Sequence, residues 1–535
     1  MPGDAMNGAE VVGRARNPFA RLFEALFDPA RCERAMLVLL IGYAAVWTLY
    51  GTIAGASQDL NSDMAELVSW SRDLSLGYLK HPPLAAWLVR LWFSVLPLDD
   101  WSYYLLAMAM PTIALWIAWR LAADYLDLEA RVAGTALLML VPFFNFHALK
   151  FNANTVLLPE WAATTFWFLR AYRTQSLVFS ALAGAGAAAC MLGKYWSAFL
   201  LAGLILAALA DQRRWLYLRS AAPWVTVLVG GVLIAPHIVW LYRHNFPPFA
   251  YALARHGTPS LADTARDALA YLGGSAAYAA APLLLVLGLA RPDRATLAEM
   301  ILPSERERKL AATAFWGPLL LPVAAAIAGR VNLSSLWSMP AWTLFPVVLL
   351  SPPGLKIAPV YLRRLPAFAA LWAVIMLAVS PLVAIVIHRA GVTPPGAHAR
   401  QLAAETEHAW HQVTPQPLRH VGCDAADAVV VYAGDRPQAL PPRMRLGDIS
   451  DVMYADFRQW PQWSPRDPTL HEPALASDGM ALVCRADRPD WMAAATATAG
   501  HIPASRRFDI EITRRFLGIA GAPQRYVIFI IPPQQ

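Results

Sequence analysis

The sequence predicts a polytopic all-α membrane protein that ends in a soluble α/β domain, and two features carry that expectation. Of its 535 residues 57% are hydrophobic and only 15% charged, and the apolar ones gather in runs of about 20, the length that crosses a bilayer as a helix. From about Gly391 the runs give way to shorter apolar stretches such as AVVVYAG, MALVCRA and RYVIFIIPP set among charged residues, as the strands of a mixed domain are. The formal charge of +7 does not point to nucleic acid, because many arginines sit in short clusters between apolar runs, the pattern of cytoplasmic loops.

Residues 1–35 form a polar segment in which Arg14, Arg16, Arg21, Arg31 and Arg34 precede the first apolar run at about 36–55. No secretory cleavage pattern occurs, so that run stays as a helix with a cytoplasmic N-terminus. The run Leu84–Leu98 follows Pro82-Pro83 and contains Arg90; at about 15 residues it is too short to span and reads as a surface helix. Spans are then predicted at roughly 101–123, 131–149, 155–171, 176–193, 195–210, 219–242, 266–290, 308–328, 334–351 and 364–388, about eleven with the first. This count puts Arg131, Arg170, Arg173, QRRWLYLR, the RPDRATLAEMILPSERERK loop and LKIAPVYLRR on the cytoplasmic side. The outer side collects loop 56–100, NANTV, Lys194, Tyr195, RHNFPPFAYALARHG and the soluble domain 391–535, so the polar candidates share one face. Of the four cysteines only Cys423 and Cys484 fall in the polar C-terminal part, where an oxidising compartment would allow them to pair.

The outer loop 56–100 is where charge is hardest to explain. QDLNSDMAELVSWSRDLSLGYLKHPPL holds Asp59, Asp63, Glu66, Asp73, Lys80 and His81 beside the membrane. A helix starting near Asp63 places Asp63, Glu66, Trp70 and Asp73 on one face, acids toward water. Asp63 is either a base whose strength rises on desolvation or, through its D-x-x-E spacing to Glu66, a helix cap. Lys80, His81, Lys194, Arg243 and His244 are cations at outer helix ends that can converge on a phosphate; snorkelling to headgroups is the alternative for each. Glu160, inside a span, should face a cavity or be neutral. The absence of a Walker loop, GxGxxG and HExxH argues against an ATP-driven pump, a nucleotide-sugar enzyme or a zinc protease.

Asp63 followed by GYLKHPPLAAWL resembles the first outer loop of bacterial family 39 glycosyltransferases of the GT-C superfamily, which include the protein O-mannosyltransferases and the lipid A aminoarabinose transferases. FNANTVLLPEWAATTFWFLRAY, MLGKYWSAFLL and NFPPFAYALARHG resemble further segments of that family, in family order, over about residues 34–260. The resemblance implies a bacterial inner-membrane enzyme with a periplasmic C-terminal domain. It would move a sugar from a polyprenyl-phosphate carrier to a lipid, glycan or protein acceptor, with Asp63 as base; Met64 stands where the family usually has a glutamate, which leaves Glu66 or Asp59 as possible substitutes for that acid. Lys80, His81, Lys194, Arg243 and His244 would hold the donor phosphate, and Asn154, Glu160 and Tyr195 would line the cavity. Asn154 and Lys80 stand where the family has aspartates, so no metal or other cofactor is expected. The rival readings are a lipid-linked sugar flippase, which needs no base, and a catalytically lapsed assembly partner.

Overall fold

The structure, a computed structural model, describes residues 18–72, 74–258, 260–391, 398–439, 477–500 and 502–533; Arg14, Arg16 and Asp73 lie outside them. The chain opens with α1 (Pro18–Ala25) and α2 (Cys32–Ala54). The outer loop contributes α3 (Ser62–Ser71) and α4 (Leu84–Phe93). Then come α5 (Asp100–Ala122), α6 (Leu128–Met139), α7 (Ala153–Thr174), α8 (Leu177–Gly193), α9 (Ala198–Ala210), α10 (Arg214–Leu218) and α11 (Ala222–Arg243). The membrane domain ends with α12 (Pro247–His256), α13 (Leu261–Tyr278), α14 (Ala280–Ala290), α15 (Arg294–Ile301), α16 (Arg306–Gly329), α17 (Phe345–Leu350) and α18 (Pro359–Ala390).

Among the described residues α2, α5, α11, α16 and α18 are long and apolar enough to cross a bilayer, and α13 with α14, bent by 59°, forms one more candidate. The other predicted spans are helical but shorter or less apolar. α7 carries Glu160, Arg170 and Arg173, and α8, Tyr195–Ala210 and Ser335–Leu350 are shorter apolar segments. The run at 131–149 is α-helical only to Met139, because Pro142 turns the chain into a 3-10 turn at Pro142–Phe144 and the residue before a proline is driven out of helical geometry. Buried Asn145 then ties that turn to the carbonyls of Met139 and Val141. The run at 334–351 is likewise a 3-10 helix, Ser335–Leu344, leading into α17. α4 is ten residues long, well short of a span.

The exterior is as apolar as a bilayer demands. α11 exposes Trp224, Val227, Leu228, Val232 and Leu233, and α18 exposes Phe368, Leu371, Val374, Leu382 and Val386. Patches of this extent mark contact with something other than water. Inside, small residues bring helices together: a Cβ on Gly184 of α8 would lie 2.4 Å from the Thr226 carbonyl of α11, so these two backbones touch, the usual device of helix pairs in lipid.

The C-terminal domain is a five-stranded mixed sheet with helices on it. In chain order it contains α19 (Ala399–His411), β1 (His420–Gly422), α20 (Ala426–Tyr432), β2 (Gln438–Ala439), β3 (Met480–Arg485), the helix Pro489–Gly500, β4 (Arg506–Ile512), a small β5–β6 hairpin (Arg515–Phe516 and Ile519–Ala520) and β7 (Gln524–Ile531). The order across the sheet is β2-β1-β3-β7-β4, with β1 parallel to β2 and β3 and the remaining pairs antiparallel. MALVCR and RYVIFII are strands as read. AVVVY is not: it forms α20, whose Ala426, Val429 and Val430 join the domain core while Val431 packs on α3. A short run apolar on every side fits a helix buried on both faces as well as a strand. Cys423 and Cys484 are joined by a disulfide between the end of β1 and β3.

Candidate active site

α3 begins at Asn61, whose side chain accepts the Asp63 N–H at 3.0 Å. Asn61 is thus the cap, and the capping role considered for Asp63 is corrected. The Asp63 carboxylate projects from the first turn and meets Lys150 Nζ at 2.9 Å and the Asn152 amide at 3.3 Å, both through Oδ2. Its Oδ1 has no partner among the described residues. Burial pushes the Asp63 carboxyl up, but Lys150, Lys80 and Asn152 outweigh it and hold the group below the ordinary aspartate range, so it is an anion at neutral pH.

The opposite wall is the start of α7. Asn152 caps that helix by accepting the N–H groups of Asn154 and Thr155 while its own amide donates to Asp63. The positive end of the α7 dipole therefore faces the cluster. Asn154 Oδ1 accepts from Lys194 Nζ at 2.7 Å, and Lys194 also lies 5.1 Å from the centre of the Trp337 ring.

One α-helical turn beyond Asp63, Glu66 turns inward. Both of its oxygens accept from Lys80 at 3.0 Å. The acids of α3 are only partly open to water, Asp63 keeping 35% and Glu66 20% of its side-chain surface, while Met64, Leu67 and Val68 nearer the other face are buried; each acid is held by a lysine. Burial raises the Glu66 carboxyl to about 7, helped by Asp427 and Asp63 and opposed by Lys80. Burial acts to lower Lys80, but Glu66 and Asp63 outweigh it and keep the ammonium charged. His81 is pushed down to about 3 by burial and by Lys194 and Lys80 beside it. It is therefore neutral at physiological pH and can offer a ring N–H but no positive charge.

The charge count across these pairs is uneven. Lys150 faces Asp63 and Lys80 faces Glu66, whereas Lys194 faces the neutral amide of Asn154. Three lysines thus face two carboxylates, and Lys194 is the one left on a neutral partner.

The remaining sequence candidates separate. Tyr195 donates its hydroxyl to His237 Nε2 at 2.9 Å, and His237 Nδ1 in turn meets the Leu76 carbonyl at 2.6 Å, which pins α11 and the outer loop to the residue after Lys194. Arg243 is exposed at the end of α11 and makes no ion pair or hydrogen bond among the described residues. His244 bonds the Trp240 carbonyl of its own helix at 2.6 Å and stacks on Trp240. Glu160 Oε2 is buried without a partner among the described residues, against Gly193. Asp59 belongs to another centre: its side chain is 2% exposed and bound by Arg514 at 2.8 Å and by the Arg400 N–H at 2.9 Å, away from the Asp63 cluster.

Sequence reasoning missed Lys150 and Asn152, which complete the Asp63 pair, and Trp337, which backs Lys194. A lysine beside NANT at the outer end of an apolar run is the signal that identifies the first two.

A family of dolichyl-phosphate-mannose-protein mannosyltransferases matches residues 80–240, a stretch that holds Lys80, Lys150, Asn154 and Lys194 but not Asp63. No curated protein matches the chain by sequence. Among solved structures, the crystal structure of ArnT from Cupriavidus metallidurans bound to undecaprenyl phosphate superposes with a TM-score of 0.56 at 15% identity, covering 92% of this chain and 97% of that one. The apo form of the same protein superposes with a TM-score of 0.59 at 13% identity over the same shares. Family match and fold agree with the resemblance read from the sequence, and the chain has the fold of the GT-C glycosyltransferases.

Proposed function

We propose that this chain transfers a sugar from a polyprenyl-phosphate carrier to an acceptor hydroxyl on the periplasmic face of the inner membrane, with Asp63 as the general base. The observation that carries the reading is the Asp63 carboxylate: ionised, oriented through Oδ2 by Lys150 and Asn152, and open at Oδ1. An acceptor O–H bound at Oδ1 gives up its proton as its oxygen attacks the anomeric carbon. The carbon–oxygen bond to the phosphate breaks, its electrons leave on polyprenyl phosphate, and the sugar inverts. Positioning and charge stabilisation supply the rest. Lys194 takes the leaving phosphate charge, since Asn154 leaves it uncompensated. The undecaprenyl phosphate held by the structurally similar ArnT supports a donor of this class. The acceptor class is a lipid, a glycan or a protein.

Asp63→Asn tests this reading cleanly, because the cap is Asn61 and an amide keeps an oxygen for Lys150. Transfer from a polyprenyl-phosphate sugar should fall by about 10²-fold or more while the protein elutes and melts as before. Retained transfer would remove Asp63 as base and favour a carrier. The orientation is tested by thiol labelling of intact cells: Val95→Cys and Arg515→Cys should react from outside and Leu302→Cys should not.

A further inference from the structure

We infer that the end of the membrane domain remote from Asp63 holds an acidic phospholipid, one hydrocarbon chain lying in a crevice between α9 and α11 and the phosphate on Arg213, Arg214 and Arg219. The crevice has a volume of about 310 Å³ and is lined by Thr164, Phe168, Leu204, Ile205, Tyr217 and Thr226, among others. That is the lower end of the range for small-molecule sites. Its polar side chains are spent within the protein: the Thr226 hydroxyl donates to the Ser180 carbonyl at 3.0 Å, and Thr164 bonds Cys190 at 3.3 Å. What faces the space is hydrocarbon, which holds an apolar chain better than water.

Two helix directions place the crevice far from the candidate active site. α7 starts there at its Asn152 cap, and Phe168 lies roughly 24 Å further along at about 1.5 Å per residue. α11 runs the other way. Its last turns support the outer loop, Trp240 lying against Gly77, while its first turns, from Pro223 to Gly230, line the crevice.

The gap follows from the glycines. Gly203 seats α9 on Gly317 and Pro318 of α16, and Gly184 and Gly230 seat α11 on α8, so the two helices are drawn to different neighbours. The opening faces the bilayer, with Ile205, Leu209 and Val227 exposed at its edge. α10 roofs it, and the charge there is of one sign. Among the described residues the guanidinium groups of Arg213, Arg214 and Arg219 have no carboxylate partner; the Arg213 backbone N–H donates to Asp211 Oδ1 at 2.7 Å and the Arg214 side chain to the Asp211 carbonyl at 3.4 Å. The nearby Asp211 is occupied by Arg306 at 2.9 Å and by Tyr172. Arg214 and Arg219 flank the exposed Trp215 at 5.9 and 6.0 Å. Basic residues at this end follow from membrane topology alone, but a chain-sized apolar crevice beneath them does not.

Native mass spectrometry of the protein released from nanodiscs of equal phosphatidylcholine and phosphatidylglycerol tests the assignment. The wild type should retain phosphatidylglycerol preferentially. Replacing Arg213, Arg214 and Arg219 by Gln should weaken that preference by roughly fivefold per arginine. Ala187→Phe, which fills the crevice, and Ile205→Trp, at its exposed mouth where folding is not at risk, should both lose the lipid with the arginines intact. Equal retention in both crevice variants, no preference in the wild type, or displacement by excess soluble glycerol phosphate would each overturn the proposal.

Discussion

Two acidic centres lie within one short stretch of this chain, and they are built differently. At the junction with the C-terminal domain, Asp59 is sealed by Arg514 and Arg400, and Asp100 by Arg400 at 2.9 Å and the Tyr432 hydroxyl at 3.1 Å. Tyr432 also accepts the Leu60 N–H at 3.3 Å, so helix α20 is bolted onto the lead into α3. At the candidate active site, Asp63 keeps one oxygen open and Lys194 lacks a counter-charge. Saturated contacts make the first centre structural, whereas the open oxygen and the unbalanced cation are what the proposed reaction uses. Arginines hold the first centre, Arg514 through its guanidinium and Arg400 through its backbone N–H on Asp59 and its guanidinium on Asp100, and lysines hold the second.

That contrast can be broken at either centre. Lys194→Ala should have the largest effect, weakening binding of a polyprenyl-phosphate donor by about 2–5 kcal/mol, measured by titration in detergent; unchanged affinity would make Lys194 a positioning residue for Asn154. Asp59→Asn should act on stability, lowering it by about 1.5–3 kcal/mol, because the part-exposed Arg514 and Arg400 lose charge-assisted hydrogen bonds to the buried carboxylate. Thermal unfolding reads that loss, and transfer per folded molecule should stay within about twofold. Tyr432→Phe removes the hydroxyl between Leu60 and Asp100 and should cost about 1 kcal/mol, again without a catalytic signature.

The smallest expected effect sharpens the comparison through pH. The Glu66 carboxyl, raised to about 7 by burial, is protonated below that pH and ionised above it. As pH falls through 7, Glu66 becomes neutral and Lys80 loses its counter-charge, which frees the ammonium for the donor phosphate. Donor affinity should rise a fewfold between pH 8 and pH 6, about 1 kcal/mol for an ion pair of this kind. Glu66→Gln should remove this rise and leave only the change that comes from Lys194, whose ammonium burial pushes down to about 8. A wild-type profile as flat as that of Glu66→Gln would place the titration elsewhere.

The sequence alone made legible the class of the protein, its polar centre at residues 56–100 and the resemblance to the GT-C glycosyltransferases. Run length, arginine placement and HPP spacing are local properties that need no tertiary contact to be read. It also placed Asp63, Lys80 and Lys194 among the candidates. Only the tertiary structure decided their partners. Lys150 lies 87 residues from Asp63 in sequence and 2.9 Å from it in space, and nothing local distinguishes Asp59 from Asp63 until Arg514 arrives from β5's doorstep, 455 residues away. The same holds for AVVVY, which is a helix because it is buried between a sheet and α3, a fact of packing rather than of pattern. Charge pairing and burial depend on what folds back onto a segment, so the chain announces its charged side chains but not which of them are left unsatisfied.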